Sequence, residues 1–480
     1  MPLLKSELTS SGAHVLLRGR ACKRTQGMLA RFKVRPMTWK IPWQVFDDKR
    51  WRQLHGVAEI PRQLRSLVER NPAPPDTTAE LLPNLFPFQR EALQRIIGTF
   101  RGRCLLADDM GLGKTVQAIA FLKHYGGPAL IMCPAFLISN WSRELAKYGV
   151  EATIVSYDAL RTSAPAGPWR AVVADEAHYI KQRKAQRTQA AMPLLLECER
   201  LLMCTGTPCP SRPEELFTLL HAIRPSIVPD FNWFALRYCN ARKTKFSAFD
   251  TSGSSRKDEL NWLLHRAFMI RRHKKDVLSQ LPPKHTSVVH VPCKREWVDR
   301  LSIMQERFED AMDGNKLSLA QSVVSEMFRA TCAAKLKSAV SFALFEARKS
   351  ACTLVFAHHR TMLDALEAAA AGIDYVRIDG STSMKERARA VEAVQQGSVS
   401  AAFLSMGAAG VGLTMTNANR VLFLELPWTP AILRQCEDRV YRVGQKQACF
   451  ITYVLGSDTL DDHVWSKIHN KEECTRSILS

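Results

Sequence analysis

Cys104-Leu105-Leu106-Ala107-Asp108-Asp109-Met110-Gly111-Leu112-Gly113-Lys114-Thr115 is the stretch on which the reading of this chain turns. Four apolar residues predict a buried strand, which breaks at polar and glycine residues before a helical pattern that starts near Val116. Strand, loop and helix in that order make a phosphate-binding turn. Gly111 and Gly113 let the backbone approach an anion, the helix N-terminus aims its N–H groups and dipole at it, and Lys114 adds a point charge. Thr115 is then placed to hold Mg²⁺. The general pattern G-x-x-x-x-G-K-[ST] is met only in part, because Asp108 stands at its first glycine. The stretch alone also admits a plainer reading, a glycine turn carrying a surface lysine.

Working outward, short apolar runs alternate with helical patterns at Cys104–Ala107, Ala129–Met132, Ala171–Ala174 and Leu201–Cys204, which predicts a doubly wound parallel sheet. A second series follows at Thr353–Phe356, Tyr375–Ile378, Ala402–Leu404, Val421–Leu424 and Phe450–Val454. The expected architecture is α/β with two similar parallel-sheet lobes. Residues 81–229 form lobe 1, 351–480 form lobe 2, and 230–350, charged and largely strandless, read as a helical insertion and connector. Its basic cluster is Arg271-Arg272-His273-Lys274-Lys275.

Residues 1–80 hold 15 Lys/Arg against 7 Asp/Glu, and Arg31–Arg52 interleaves basic residues with Phe32, Trp39, Trp43, Phe46 and Trp51. That mixture suits a groove that tracks phosphates while aromatics stack on bases. A small satellite core with a basic face, or an organelle transit peptide, are the other readings. Pro72, Pro74 and Pro75 mark a linker after it.

The whole chain of 480 residues carries a net charge of +21, which favours a polyanionic partner such as nucleic acid over an acidic membrane surface. No apolar run approaches the roughly 18 residues of a membrane span, and no signal-peptide core follows the N-terminal charges. The 13 cysteines are scattered without a C-x-x-C pair, so reduced structural thiols and no zinc are expected.

Two further sites carry chemistry. Asp175-Glu176-Ala177-His178 closes the third apolar run of lobe 1, where a carboxylate pair suits Mg²⁺ coordination by Asp175 and orientation of an attacking water by Glu176. A helix N-terminus rich in acid is the plainer reading. In lobe 2, Gln435, Asp438, Arg439 and Arg442 share one face if the segment is helical. That face is either a solvated one with local ion pairs or a pair of arginine fingers that act when two lobes close, each worth about 10³ to 10⁵ in rate.

Gln89, DDMGLGKT (108–115), CPAFLISNW (133–141), DEAH (175–178), TGTP (205–208), RIDGSTS (377–383), GAAGVGLTMTNANRV (407–421) and QCEDRVYRVGQ (435–445) occur in this order. The set resembles the superfamily 2 helicase motifs in their Swi/Snf-related form, and within it the HepA-related, annealing-helicase branch. RYCNARK (237–243), SGSSRKDEL (252–260), MIRRHKKDVLSQLPPK (269–284) and YVLGSDTLDDHVW (453–465) support the branch, as does Asp109 where the wider family carries Glu.

The resemblance implies two RecA-like lobes and an ATP-driven motor on duplex DNA. It implies that Gln89 reads adenine, that Asp109, Gly111, Gly113, Lys114 and Thr115 form the phosphate and Mg²⁺ site, and that Gly410, Gly412, Gln435, Arg439 and Arg442 close it from lobe 2. His178, Thr205 and Thr207 would couple nucleotide state to DNA, which loops at Pro134, Asp379-Gly380-Ser381 and Leu413-Thr414 would touch. Phe32–Trp51 is similar to the end of a HARP domain, the branch's DNA-structure module. The expected function is a DNA-dependent ATPase of the annealing-helicase type, acting on forks or single/double-strand junctions in repair, in the nucleus, with a single-strand-binding protein as a further partner. Cytoplasm, if the chain is prokaryotic, and mitochondrion are the other locations. A nucleosome remodeller, a strand-separating helicase and a catalytically silent nucleic-acid scaffold are the competing readings.

Overall fold

The computed structural model describes residues 85–480 except 210, 245–248, 278–280, 315, 408–414, 443 and 480, together with the backbone of four short strands before residue 43. Those strands, β1 (Leu4–Leu8), β2 (His14–Gly19), β3 (Lys33–Arg35) and β4 (Thr38–Pro42), pair antiparallel in the order β1-β2-β4-β3. Trp39 lies on β4; Phe32, Trp43, Phe46, Trp51 and the proline linker lie outside the described residues.

The chain divides into two compact units: Met1–Asp109 with Gly113–Arg272 and Glu473–Ser480, and Met110–Leu112 with His273–Glu472. The first contains a six-stranded, all-parallel sheet of β5 (Arg103–Leu106), β6 (Ala129–Cys133), β7 (Thr153–Ser156), β8 (Ala171–Asp175), β9 (Arg200–Cys204) and β10 (Met269–Ile270), ordered β10-β5-β9-β8-β6-β7. Successive side chains of a strand point to opposite faces, and both faces are covered. Leu105, Leu130, Met132, Val172 and Leu201 enter one buried cluster, while Cys104, Leu106, Ile131, Val173 and Leu202 enter another. Near-continuous apolar runs are what a sheet buried on both faces requires.

The second unit repeats the plan with β11 (Lys284–Val291), β12 (Thr353–Ala357), β13 (Tyr375–Ile378), β14 (Ala401–Ser405), β15 (Arg420–Phe423) and β16 (Cys449–Gly456), all parallel, ordered β11-β16-β15-β12-β14-β13. Leu354, Phe356, Ala402 and Val421 pack on one face, and Val355, Ala401, Phe403 and Leu422 on the other. Lys335, fully buried, donates to Asp461 Oδ2 at 2.6 Å and to the Val454 carbonyl at 3.0 Å, tying a long helix (Leu317–Lys349) to this sheet.

Three expectations change. Residues 230–350, largely strandless as expected, are nonetheless not a purely helical insertion, since β10 completes the first sheet and β11 the second. β7 is a further strand beyond the four expected runs, so Asp175 ends the fourth strand of its lobe, not the third. The C-terminal residues 473–480 group with the first unit, where Ile478 and Leu479 are buried and the Ile478 carbonyl accepts from Asn261 Nδ2 at 2.8 Å. Among the described residues no helix is long and apolar enough to cross a membrane. The described cysteines are all free and, Cys293 apart, buried.

Candidate nucleotide site

The phosphate loop leaves β5 and enters the helix Lys114–Tyr125, whose N-cap is Gly113 in the left-handed region at φ 74°. Gly111, at φ 84°, is left-handed too, so the turn demands glycine at both places. Gly113 is constrained twice, because a Cβ there would lie 2.5 Å from Gln89 Nε2. Gln89 itself is buried, and its Oε1 accepts from the Phe86 N–H at 3.0 Å, satisfying the N-cap backbone donor of the helix Pro87–Gln94. The structure therefore brings Gln89 against the phosphate loop, although the two are far apart in sequence. Lys114 Nζ donates to the carbonyls of Asp108 at 2.8 Å and Asp109 at 3.2 Å, folding back over its own loop.

Asp175 and Glu176 sit at the carboxyl end of β8, in the same sheet. Trp141 Nε1 donates to Asp175 Oδ2 at 2.9 Å, the Glu176 N–H donates to Oδ1 at 2.9 Å, and Tyr157 hydroxyl donates to the Asp175 carbonyl at 2.7 Å. Burial, and then the neighbouring Glu176 charge, push the Asp175 carboxyl up to about 6 against the pull of Trp141. Glu176 adopts φ 49°, ψ 49°, a left-handed conformation unusual for a residue with a side chain and costing about 1–3 kcal/mol. From Glu176 a polar chain runs inward: Oε2 lies 3.2 Å from His178 Nδ1, that nitrogen 3.1 Å from Thr205 Oγ1, and Thr205 Oγ1 accepts from the Thr207 N–H at 3.1 Å. The DEAH and TGTP motifs are thus joined within one lobe by the His178–Thr205 hydrogen bond.

Two features of this site escape sequence reasoning. Trp141 enters there only as the last residue of CPAFLISNW, with no role of its own, and only the fold shows its indole holding Asp175. The second feature is β10 with the two arginines after it. Ala107 N–H donates to the Ile270 carbonyl at 2.8 Å and Asp109 N–H to the Arg272 carbonyl at 3.1 Å, so residues 270–272 run beside the phosphate loop. Arg272 pairs through Nε and Nη2 with both carboxylate oxygens of fully buried Asp108, the Nε bond measuring 3.0 Å. Arg271 donates to the Ala107 carbonyl at 3.1 Å and lies 3.6 Å from Asp109. The basic cluster is therefore engaged internally at Arg271 and Arg272.

In the second unit the helix Pro430–Glu437 ends before the arginines, correcting the expected helical face through 442. Arg439 N–H bonds back to Cys436 and Val440 N–H to Glu437, both at 3.1 Å, so the chain tightens to i→i−3 turns while Cys436 and Val440 stay in the core. Lysines fix the turn: Lys284 Nζ reaches Glu437 Oε2 at 2.7 Å and Lys274 Nζ reaches Asp438 Oδ1 at 2.6 Å. Gln435 lies on the helix; Arg439 and Arg442 come after it, on the turn. Gln445 is buried beneath, its amide donating to the carbonyls of Thr416 at 3.0 Å and Ala418 at 2.9 Å and its Oε1 accepting from Lys446 and Gln447 N–H groups at 2.9 Å. The Met415 N–H donates to the Arg439 carbonyl at 3.0 Å. Gly410, Gly412, Leu413 and Thr414, immediately before, lie outside the described residues. Asp379 holds its loop by accepting from Ser381 N–H at 2.9 Å and Oγ at 2.6 Å; with Arg377 beside it, the carboxyl is lowered to about 2.

A glycine-turned phosphate loop and a strand-end carboxylate pair in one parallel sheet, with a second lobe of the same plan, define the two-lobed phosphate-loop nucleoside-triphosphatase class. The chain matches the SNF2-related domain over residues 88–166 and 149–298 and the helicase conserved C-terminal domain over 334–444, and it belongs to the Swi/Snf-related family. It is 36% identical over 418 residues to "SWI/SNF-related matrix-associated actin-dependent regulator of chromatin subfamily A-like protein 1" of Xenopus tropicalis, covering 81% of this chain and 44% of that protein. It is 34% identical over 444 residues to "DNA annealing helicase and endonuclease ZRANB3" of Mus musculus, covering 84% of this chain and 41% of that protein. The chain thus spans less than half the length of these curated relatives. Among solved structures, the "Sulfolobus solfataricus SWI2/SNF2 ATPase core in complex with dsDNA" aligns with 83% of this chain and 95% of its own at 22% identity and a TM-score of 0.39.

Proposed function

We propose that this chain is a DNA-dependent ATPase that translocates on duplex DNA and rewinds or remodels branched substrates in repair, an annealing helicase by activity. The observation that carries the reading is the chain of polar contacts from Glu176 through His178 to Thr205 and Thr207, set in the same sheet as the phosphate loop. Such wiring suits a machine in which hydrolysis must be felt away from the phosphates.

Lys114 exchanges the Asp108 and Asp109 carbonyls for phosphate oxygens, Gln89 presents its amide to adenine, and Gly111 and Gly113 admit the phosphates to the backbone. The donor set fits Mg²⁺, because a hard cation relieves the burial and like-charge repulsion that raise Asp175. Thr115 and Asp175 would hold it. Mg²⁺ there supplies charge neutralisation on the phosphates. Glu176 orients the attacking water, Trp141 fixes the Asp175 rotamer, and Arg439 and Arg442 stabilise the transferring phosphoryl group. Gly410, Gly412 and Gln435 complete the nucleotide contacts, with Asp109 shaping the loop.

The partner is DNA, with forks or single/double-strand junctions preferred, a single-strand-binding protein as a second partner, and the nucleus as the place of action. The basic N-terminal segment, residues 1–80, is the reader of structure. Phosphate release measured without nucleic acid and with single-stranded, duplex and forked DNA and RNA at one salt concentration tests this. Stimulation greatest on forked DNA is expected. No phosphate release with or without nucleic acid would leave the silent-scaffold reading, and stimulation greatest on RNA would leave a strand-separating RNA helicase.

A further inference from the structure

The general phosphate-loop pattern places a glycine where this chain has Asp108, and an aspartate at the mouth of an anion site is electrostatically wrong unless something cancels it. Asp108 is 0% exposed, so water does not cancel it. What does is Arg272, 164 residues further on, which addresses both carboxylate oxygens. Arg272 does more than neutralise. Its Nη1 donates to the Phe88 carbonyl, its guanidinium lies 5.0 Å from the Phe88 ring centroid, and its Nη2 donates to Gln117 Oε1 at 3.1 Å. Gln117, on the helix that follows the loop and itself buried, returns Nε2 to Asp108 Oδ2 at 3.4 Å.

One guanidinium therefore gathers three elements: the loop entrance at Asp108, the helix behind the phosphates at Gln117, and the backbone beside Gln89 at Phe88. The first two fix where phosphates lie, and the third fixes where adenine lies. We infer that Arg272 is a positioning residue for the nucleotide, setting the spacing between the adenine-reading Gln89 and the phosphate loop by clamping Asp108, Gln117 and Phe88. It touches no nucleotide itself; it acts through those three. A lysine cannot replace it, since a single ammonium does not span both Asp108 oxygens, a carbonyl and an amide.

The inference rests on the ATP-site reading, and nucleotide binding measured apart from turnover separates the two. With a fluorescent ATP analogue titrated onto the full chain, Arg272→Gln is expected to weaken binding about tenfold or more, because it strands a buried carboxylate beside the phosphates. Arg272→Lys falls between it and the native chain. The decisive variant is the double one: Asp108→Asn with Arg272→Gln removes charge and countercharge together, and is expected to recover binding to within about threefold of native, a coupling that general loss of packing does not give. Lys114→Ala is the control for the site itself. If Lys114→Ala loses the analogue while Arg272→Gln binds within about twofold of native, or the double variant binds no better than Arg272→Gln, this inference is overturned and the ATP site stands. If Lys114→Ala binds as native does, the ATP-site reading falls and takes the inference with it. Should Arg272→Gln fail to fold by circular dichroism, Arg272→Lys decides, native-like affinity counting against.

Discussion

Replacing Asp175 by Asn should stabilise the nucleotide-free protein while abolishing turnover. The carboxyl is raised from 3.8 to about 6 by burial and by Glu176, and this net already includes the Trp141 and Glu176 N–H bonds that favour the ion. The sign follows from linkage. A raised folded value means the folded state holds the proton more tightly, so the group favours folding below about pH 4, and that contribution is lost as pH rises through about 6. Above about pH 6 the native protein carries a charge its surroundings resist. Two units at about 1.4 kcal/mol each give about 3 kcal/mol. Asp175 is only partly buried and shares its site with Glu176, so about half of that, roughly 1–2 kcal/mol, is the expected gain. Asn mimics the neutral acid at every pH. In EDTA at about pH 8 the variant should melt several degrees higher, at about 2–4 °C per kcal/mol for a lobe of this size, with the gap closing toward about pH 4 to 5. Differential scanning calorimetry across roughly pH 4–8 reads both. A variant that melts lower at the alkaline end, or a gap that does not change with pH, refutes the electrostatic account of Asp175.

Lys114→Ala should lose nucleotide affinity, whereas Glu176→Gln keeps it and stops hydrolysis, since one contacts the ground state and the other the attacking water; equal loss of binding in both, by equilibrium titration, counts against the roles. Arg439→Ala and Arg442→Ala should cut DNA-stimulated turnover by about 10³ or more with nearly native nucleotide and DNA affinity, and normal steady-state rates in both remove the arginine-finger assignment. Arg103, whose guanidinium donates to the carbonyls of Leu195, Cys198, Ala222 and Ile223 at 2.6 to 3.0 Å, ties off two helix ends, so Arg103→Ala should destabilise by about 3–5 kcal/mol in a urea melt. Deleting residues 1–70 should flatten the preference for forks while ATPase on plain duplex survives; an unchanged ratio at matched salt excludes that segment as the reader.

The sequence by itself determined what is local. β5 with its glycine turn, and β8 ending in Asp175-Glu176, are legible because strand, turn and chemistry are consecutive, and because a sheet buried on both faces writes unbroken apolar runs into the chain. β11 hides for the opposite reason: it is an edge strand, and Lys284–His290 is exposed or half-exposed, so no apolar run betrays it. β10, with two residues, carries no period at all. The end of the helix ahead of Arg439 is hidden because 3.6-residue spacing continues past Glu437 in the letters, whereas the actual end is set by core positions of Cys436 and Val440 and by lysines 274 and 284 gripping the two carboxylates. The Trp141 bond to Asp175 spans 34 positions and the Arg272 clamp on Asp108 spans 164. Neither pair shares a helix face or a strand register, so no pattern in the chain couples them. Only the packing of the sheet, which lays residues 270–272 along the phosphate loop and turns the Trp141 helix over the end of β8, decides that buried Asp108 is paired with a guanidinium and that the Asp175 carboxylate is held in place.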